Sequence, residues 1–146
     1  MDSEENTYLG LFALDFNNLS ITTKFSECGE WGGHVEGMKI YSEVYSKSFK
    51  LDYYKIDYDC KQIMQNLISS DTIIKKTINL DTKQQNAVIS YLKQSTAQKM
   101  RVWNISHSAN HYIVNNQDST FFISLHDASE ESLKNYNNLL SKLNLK

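Results

Sequence analysis

The sequence predicts an α+β domain, a mostly antiparallel sheet with about three helices packed on one face. Residues 18–60 and 100–126 alternate apolar and polar side chains with a period of two, the mark of half-buried strands. Three other segments repeat their apolar residues every three to four positions, as amphipathic helices do. No proline- or serine-rich linker divides the chain, and there is no internal repeat, so residues 1–146 read as a single globular domain.

The elements follow in order. An apolar run from Tyr8 to Phe16 suits a buried strand, and Asp15, Asn17 and Asn18 supply turn chemistry at its end. In the next strand Leu19, Ile21, Thr23 and Phe25 share one face, while Ser20, Thr22, Lys24 and Ser26 share the other. The stretch FSECGEWGGHVEGM, residues 25–38, then holds four of the five glycines in a chain that has no proline. Gly29, Gly32 and Gly33 are expected to permit a tight excursion between two strands, with Trp31 at its tip or folded over the sheet edge. Gly37, inside the following strand, points to a bulge or a close backbone approach.

Met38, Ile40 and Val44 resume the alternation. In FKLDYYKIDYDC, residues Phe49, Leu51 and Tyr53 fall in one phase and Tyr54, Ile56, Tyr58 and Cys60 in the other, which a β-bulge near Tyr53 and Tyr54 would reconcile. The first sixty residues thus read as an antiparallel meander of about four strands. A capping pattern at residues 59–62 opens a short helix with Ile63, Met64, Leu67 and Ile68 on one stripe. A strand from about Thr72 to Leu80 leads to a longer helix, capped by Asp81 or Thr82, that buries Val88, Tyr91, Leu92 and Ala97. Strands are expected at 100–106, 111–115 and 120–126, and a last helix, capped by Asp127 or Ser129, buries Leu133, Tyr136, Leu140 and Leu143.

Composition narrows the function. The formal net charge is −2, and among fifteen basic residues only Arg101 is an arginine, the side chain suited to forked phosphate recognition, so nucleic acid is not expected as a partner. No apolar run approaches the roughly 20 residues that cross a bilayer, so no membrane partner is expected. The N-terminus opens on Asp2, Glu4 and Glu5 where a secretory signal carries Lys or Arg, which predicts a cytoplasmic protein. In that compartment Cys28 and Cys60 are expected as thiols, with a disulfide as the alternative.

The chemistry-bearing residues form few convincing sets. Cys28, His34, Cys60, His107 and His111 have the right atoms for zinc, but the cysteines belong to no C-x2-C pair and the histidines four apart sit in an expected turn. Neither cysteine has a local signature of a nucleophile, and the glycine stretch matches no phosphate loop. No catalytic residue, metal or cofactor is therefore expected. What remains is a surface: Tyr41, Tyr45, Tyr53, Tyr54 and Tyr58 lie next to Trp31 and among Glu43, Asp52, Asp57 and Asp59. Aromatic anchors among charged neighbours characterise binding hot spots. The expected binding set is Glu30, Trp31, His34, Asp52, Tyr54, Asp57 and Asp59, an acidic face with aromatic anchors.

Size, acidic balance, an α+β plan and a tyrosine-rich sheet resemble the small immunity proteins that bacteria carry against polymorphic toxins delivered between neighbouring cells. The segment CGEWGGHVEGMKIY is similar to glycine–tryptophan strand connections in such proteins. The resemblance implies a cytoplasmic, non-enzymatic protein that binds a cognate toxin domain and blocks its active site. The competing reading is a small zinc- or thiol-dependent enzyme, or a zinc-stabilised domain, using Cys28, His34, Cys60, His107 and His111.

Overall fold

The computed structural model describes residues 18–28, 32–42, 48–58, 60–61, 71–102 and 109–146, with 71–74 described by backbone alone. The period-two segments form β1 (Asn18–Lys24), β2 (Val35–Ser42), β3 (Phe49–Asp57), β4 (Asp71–Leu80), β5 (Asn110–Asn116) and β6 (Phe122–Asp127). These six described strands make one antiparallel sheet in the order β4-β3-β2-β1-β5-β6. Strands β1 to β4 meander toward one edge. Helix α1 (Thr82–Arg101) then leads from that edge to β5, which pairs with β1, and α2 (Glu130–Lys142) follows β6.

Both helices lie on one face. Leu19 and Ile21 of β1, Met38 and Ile40 of β2, Phe49 and Leu51 of β3, and Tyr112 and Val114 of β5 are buried with Val88, Tyr91, Tyr136 and Leu140 in one cluster. Tyr136 sits at its centre and meets the rings of Phe25, Tyr91 and Tyr112. Asp81 caps α1 in a reciprocal capping box with Gln84, and Ser129 caps α2 by accepting from the Ser132 N–H. Asp127 joins β6 to both helices. It accepts from the Ser129 N–H at 2.9 Å, the Ser129 hydroxyl at 2.7 Å, the Ser132 hydroxyl and Gln98 Nε2 at 3.2 Å. Burial pushes the Asp127 carboxyl up, but these donors outweigh it and hold the group below the usual range.

Several expectations change. The α+β class holds, with two helices described from end to end rather than three; of the short helix expected to open at the 59–62 capping pattern only Cys60 and Lys61 are described, both helical, and its stripe at 63–68 lies outside the described residues, as does the strand expected over 8–16. Met100 and Arg101 end α1 instead of opening a strand, because Gln98 to Arg101 are good helix formers and Lys99 and Arg101 face the helix C-terminus; residues 103–108 of that expected strand are outside the described set. Within α1, Ser95 and Gln98 are buried while Ala97 is exposed. The bulge sits on β4, not β3: Lys55 pairs with Ile74 and Ile56 with Thr72, leaving Ile73 as the extra residue. Strand β3 therefore keeps one phase, and Tyr54 and Ile56 stay on the face away from the helices.

The cysteines are not thiols. Cys28, in the β1–β2 connection, is bonded to Cys60, just past β3, with Cα atoms 5.4 Å apart. The meander explains the meeting, since Val35 pairs with Ile56 and so brings the end of β3 to the same end of the sheet as the β1–β2 connection.

Candidate functional site

The sheet presents two chemically different polar surfaces. On the helix-covered face, the alternation that buries Met38 and Ile40 also turns Glu36 inward. Glu36 is only 8 % exposed. Its Oε1 accepts from the Tyr53 hydroxyl at 3.0 Å and the Tyr136 hydroxyl at 2.9 Å, and its Oε2 meets His34 Nε2 at 2.8 Å. The other ring nitrogen of His34 contacts Glu27 Oε1, and Glu27 Oε2 accepts the His34 N–H. The His34 ring stacks on Phe25 at 4.1 Å between centroids. Burial first, and then the Glu36 charge, push the Tyr53 and Tyr136 phenols well above their ordinary range, so they stay donors at neutral pH.

The glycines make this end of the sheet possible. Gly32 has φ +95°, a conformation that side chains other than glycine rarely adopt. A side chain on Gly33 would run into the Glu27 carboxylate and the backbone of Phe25 and Glu27. The connection thereby folds tightly enough for Glu27 to reach His34.

This chain of carboxylates, imidazole and phenols has the parts of a proton relay. Its inner end, however, is sealed among Tyr53, Tyr136 and the core, where no substrate has access. It works as a polar clamp between β2, β3 and α2.

The opposite face carries no described helix. Cross-strand registers place side chains there in rows. One row runs Lys75, Tyr54, Gly37, Thr22, Ile113 and Ser124 from β4 to β6. The row beside it runs Thr77, Asp52, Lys39, Ser20, Asn115 and Phe122. The Tyr54 ring reaches across to lie over Gly37, where any Cβ would strike it. Phe122 is 59 % exposed at the far edge. Asn18, Ser20, Lys39, Tyr41, Asn115 and Gln117 border a shallow depression of about 270 Å³ at one end of this face. Toward the other end, His111 and His126 stack with centroids 3.7 Å apart, beside Lys24. Burial, and then His126, Lys24 and Lys99, lower the His111 pKa to about 4, so that ring is neutral at pH 7.

Of the expected binding residues, Asp52 and Tyr54 stand together on the open face. Asp52 accepts from Thr77 Oγ1 at 2.7 Å and from the Tyr41 hydroxyl at 3.3 Å. Asp57 falls in the opposite phase of β3 and accepts from the Tyr58 N–H. His34 is held inside by Glu27 and Glu36. Glu30, Trp31 and Asp59 lie outside the described residues. The expected acidic face is not what the described residues form: Lys24, Lys39, Lys50 and Lys75 occupy the open face against Asp52 alone, because the lysines alternate in phase with Tyr54 and Asp57 does not.

The alternative zinc or thiol set does not assemble either. The disulfide removes both sulfurs as ligands or nucleophiles, His34 and His111 lie on opposite faces, and His107 is outside the described residues. Among the described residues no three His, Cys, Asp or Glu side chains are grouped to hold a metal, and no helix is long and apolar enough to cross a membrane. Reading the sequence alone missed Glu27, Glu36, the hydrogen bond that Tyr136 donates to Glu36, and the lysines of the open face. Glu36 left one signal: an acid in phase with Met38 and Ile40. No protein-family model, curated protein or solved structure matches this chain.

Proposed function

We propose that the chain is a protein-binding module that engages its partner through the sheet face opposite α1 and α2 and acts by occlusion, as an immunity protein blocks a cognate toxin domain. The observation that carries this reading is the two-sided character of β3. Phe49, Leu51 and Tyr53 supply the core, yet the opposite phase holds Tyr54 and Ile56, which the core does not need. A strand with one solvated face ordinarily alternates apolar with polar residues. Tyr54 is also held in place over Gly37, so it loses little side-chain freedom when a partner covers it.

The Cys28–Cys60 bond bears on where that partner is met. Such bonds persist in oxidising compartments and are rare where thiols are kept reduced, so the protein meets its partner outside a reducing cytoplasm. On this reading the toxin is encoded beside its immunity protein, so the test is the affinity for the product of the adjacent reading frame, measured for the native chain and for Tyr54→Ala. The expected loss is at least about thirtyfold, or about 2 kcal/mol. Unchanged affinity in a folded variant contradicts the proposal.

A further inference from the structure

We infer that the open sheet face receives an acidic protein surface, and that a carboxylate of that partner seats in the depression beside Lys39. The inference rests on the binding reading above and specifies the chemistry of its partner. Lys24, Lys39, Lys50 and Lys75 stand on this face, and Asp52 is the acid among them. The Asp52 carboxylate is turned to Thr77 and Tyr41. Among the described residues no carboxylate pairs with Lys24, Lys39 or Lys75, and all three are exposed. The whole chain has a net charge of −2, so this positive face is a local departure from the rest of the surface. Like charges gathered on one face raise the encounter rate with a surface of opposite sign.

The depression suits a carboxylate in particular. Lys39 supplies a cation, and the side-chain amides of Asn18, Asn115 and Gln117, each with two N–H groups, bring donors to its rim. Size also favours a folded partner. Six strands about 4.8 Å apart and about seven residues long span roughly 24 by 23 Å, close to one side of a standard protein interface once side-chain relief is added.

Nucleic acid fits less well. No arginine lies on the described part of this face, and the exposed Phe122 on β6 is four strand spacings, or about 19 Å, from the half-buried Tyr54 on β3. Successive bases need neighbouring stacking platforms.

The test uses the full-length, oxidised chain labelled with nitrogen-15. It is titrated at low salt with poly-L-glutamate and, separately, with an oligothymidylate of matched charge. Poly-L-glutamate should shift the amide signals around Lys39, Tyr54 and Ser20, and the double variant Lys39→Glu plus Lys75→Glu should weaken it at least tenfold. Both lysines are exposed, so the variant keeps its fold, which its amide spectrum verifies. No shift on this face with poly-L-glutamate overturns the inference, as does tighter binding of oligothymidylate at the same residues. The product of the adjacent reading frame separates the two claims. If Tyr54→Ala weakens its binding but charge reversal does not, the acidic-partner inference fails and the binding reading stands. If neither change matters, the binding reading fails.

Discussion

The two faces of the sheet put similar residue types to opposite uses. Tyr53 and Tyr54 are neighbours in sequence, yet Tyr53 donates to a buried carboxylate while Tyr54 lies over a glycine on the open side. Glu36 on the covered face is met by two phenols and an imidazole, whereas Lys39 and Lys75 on the open face meet no carboxylate among the described residues. A polar group surrounded by partners of its own chain has been committed to stability. One left without them is available to another molecule.

That contrast is most easily broken on the covered side. Glu36→Ala leaves the Tyr53 and Tyr136 hydroxyls buried without their acceptor and should cost about 4 kcal/mol in urea unfolding, at about 1–3 kcal/mol for each orphaned group. The folded fraction should retain its partner affinity. Next in size is the disulfide. Replacing both cysteines by serine opens a loop closed over a sequence separation of 32 residues and should cost about 3.5 kcal/mol. It should also loosen the connection that carries Glu27, so amide exchange should accelerate around His34 more than around Ile113.

On the open side the ranking reverses. Tyr54→Ala should lower stability by less than about 1 kcal/mol while lowering affinity by about 2 kcal/mol. A large stability loss with intact affinity would make Tyr54 a structural residue and dissolve the distinction between the faces.

The open face also carries a pH dependence. His111 titrates near 4 in the folded protein, below its ordinary 6.5. Between those values the unfolded chain binds the extra proton and the folded one does not, so stability should decline as pH falls from about 6.5 to about 4. His111→Gln should flatten that part of the stability profile.

Much of the framework was readable from the sequence because it depends on local chemistry. The inward phase of Leu19, Ile21 and Thr23, the Asp81 and Ser129 caps, and the need for glycine at positions 32 and 33 each follow from a few adjacent residues. What escaped depends on distance along the chain. Glu36 finds Tyr53 and Tyr136 at separations of 17 and 100 residues, and Cys28 finds Cys60 only once the meander has set the register. The phase conflict in β3 was visible, but a bulge was the wrong resolution. Apolar residues in both phases meant that both faces of the strand have work to do. The sign of the open face was missed for the same reason, since assigning Asp57 and the lysines to faces requires the correct phase.

Lysine acetylation footprinting of the complex with the product of the adjacent reading frame tests the division between the faces most directly. Lys75 and Lys76 are successive exposed residues on β4, but Lys75 is registered with Tyr54 and Lys76 with Tyr53, so they point to opposite faces. Partner binding should protect Lys39 and Lys75 and leave Lys76, and Lys93 on α1, as reactive as in the free protein. Protection of Lys76 and Lys93, with Lys39 and Lys75 still open, would contradict the assignment of binding to the face opposite α1 and α2.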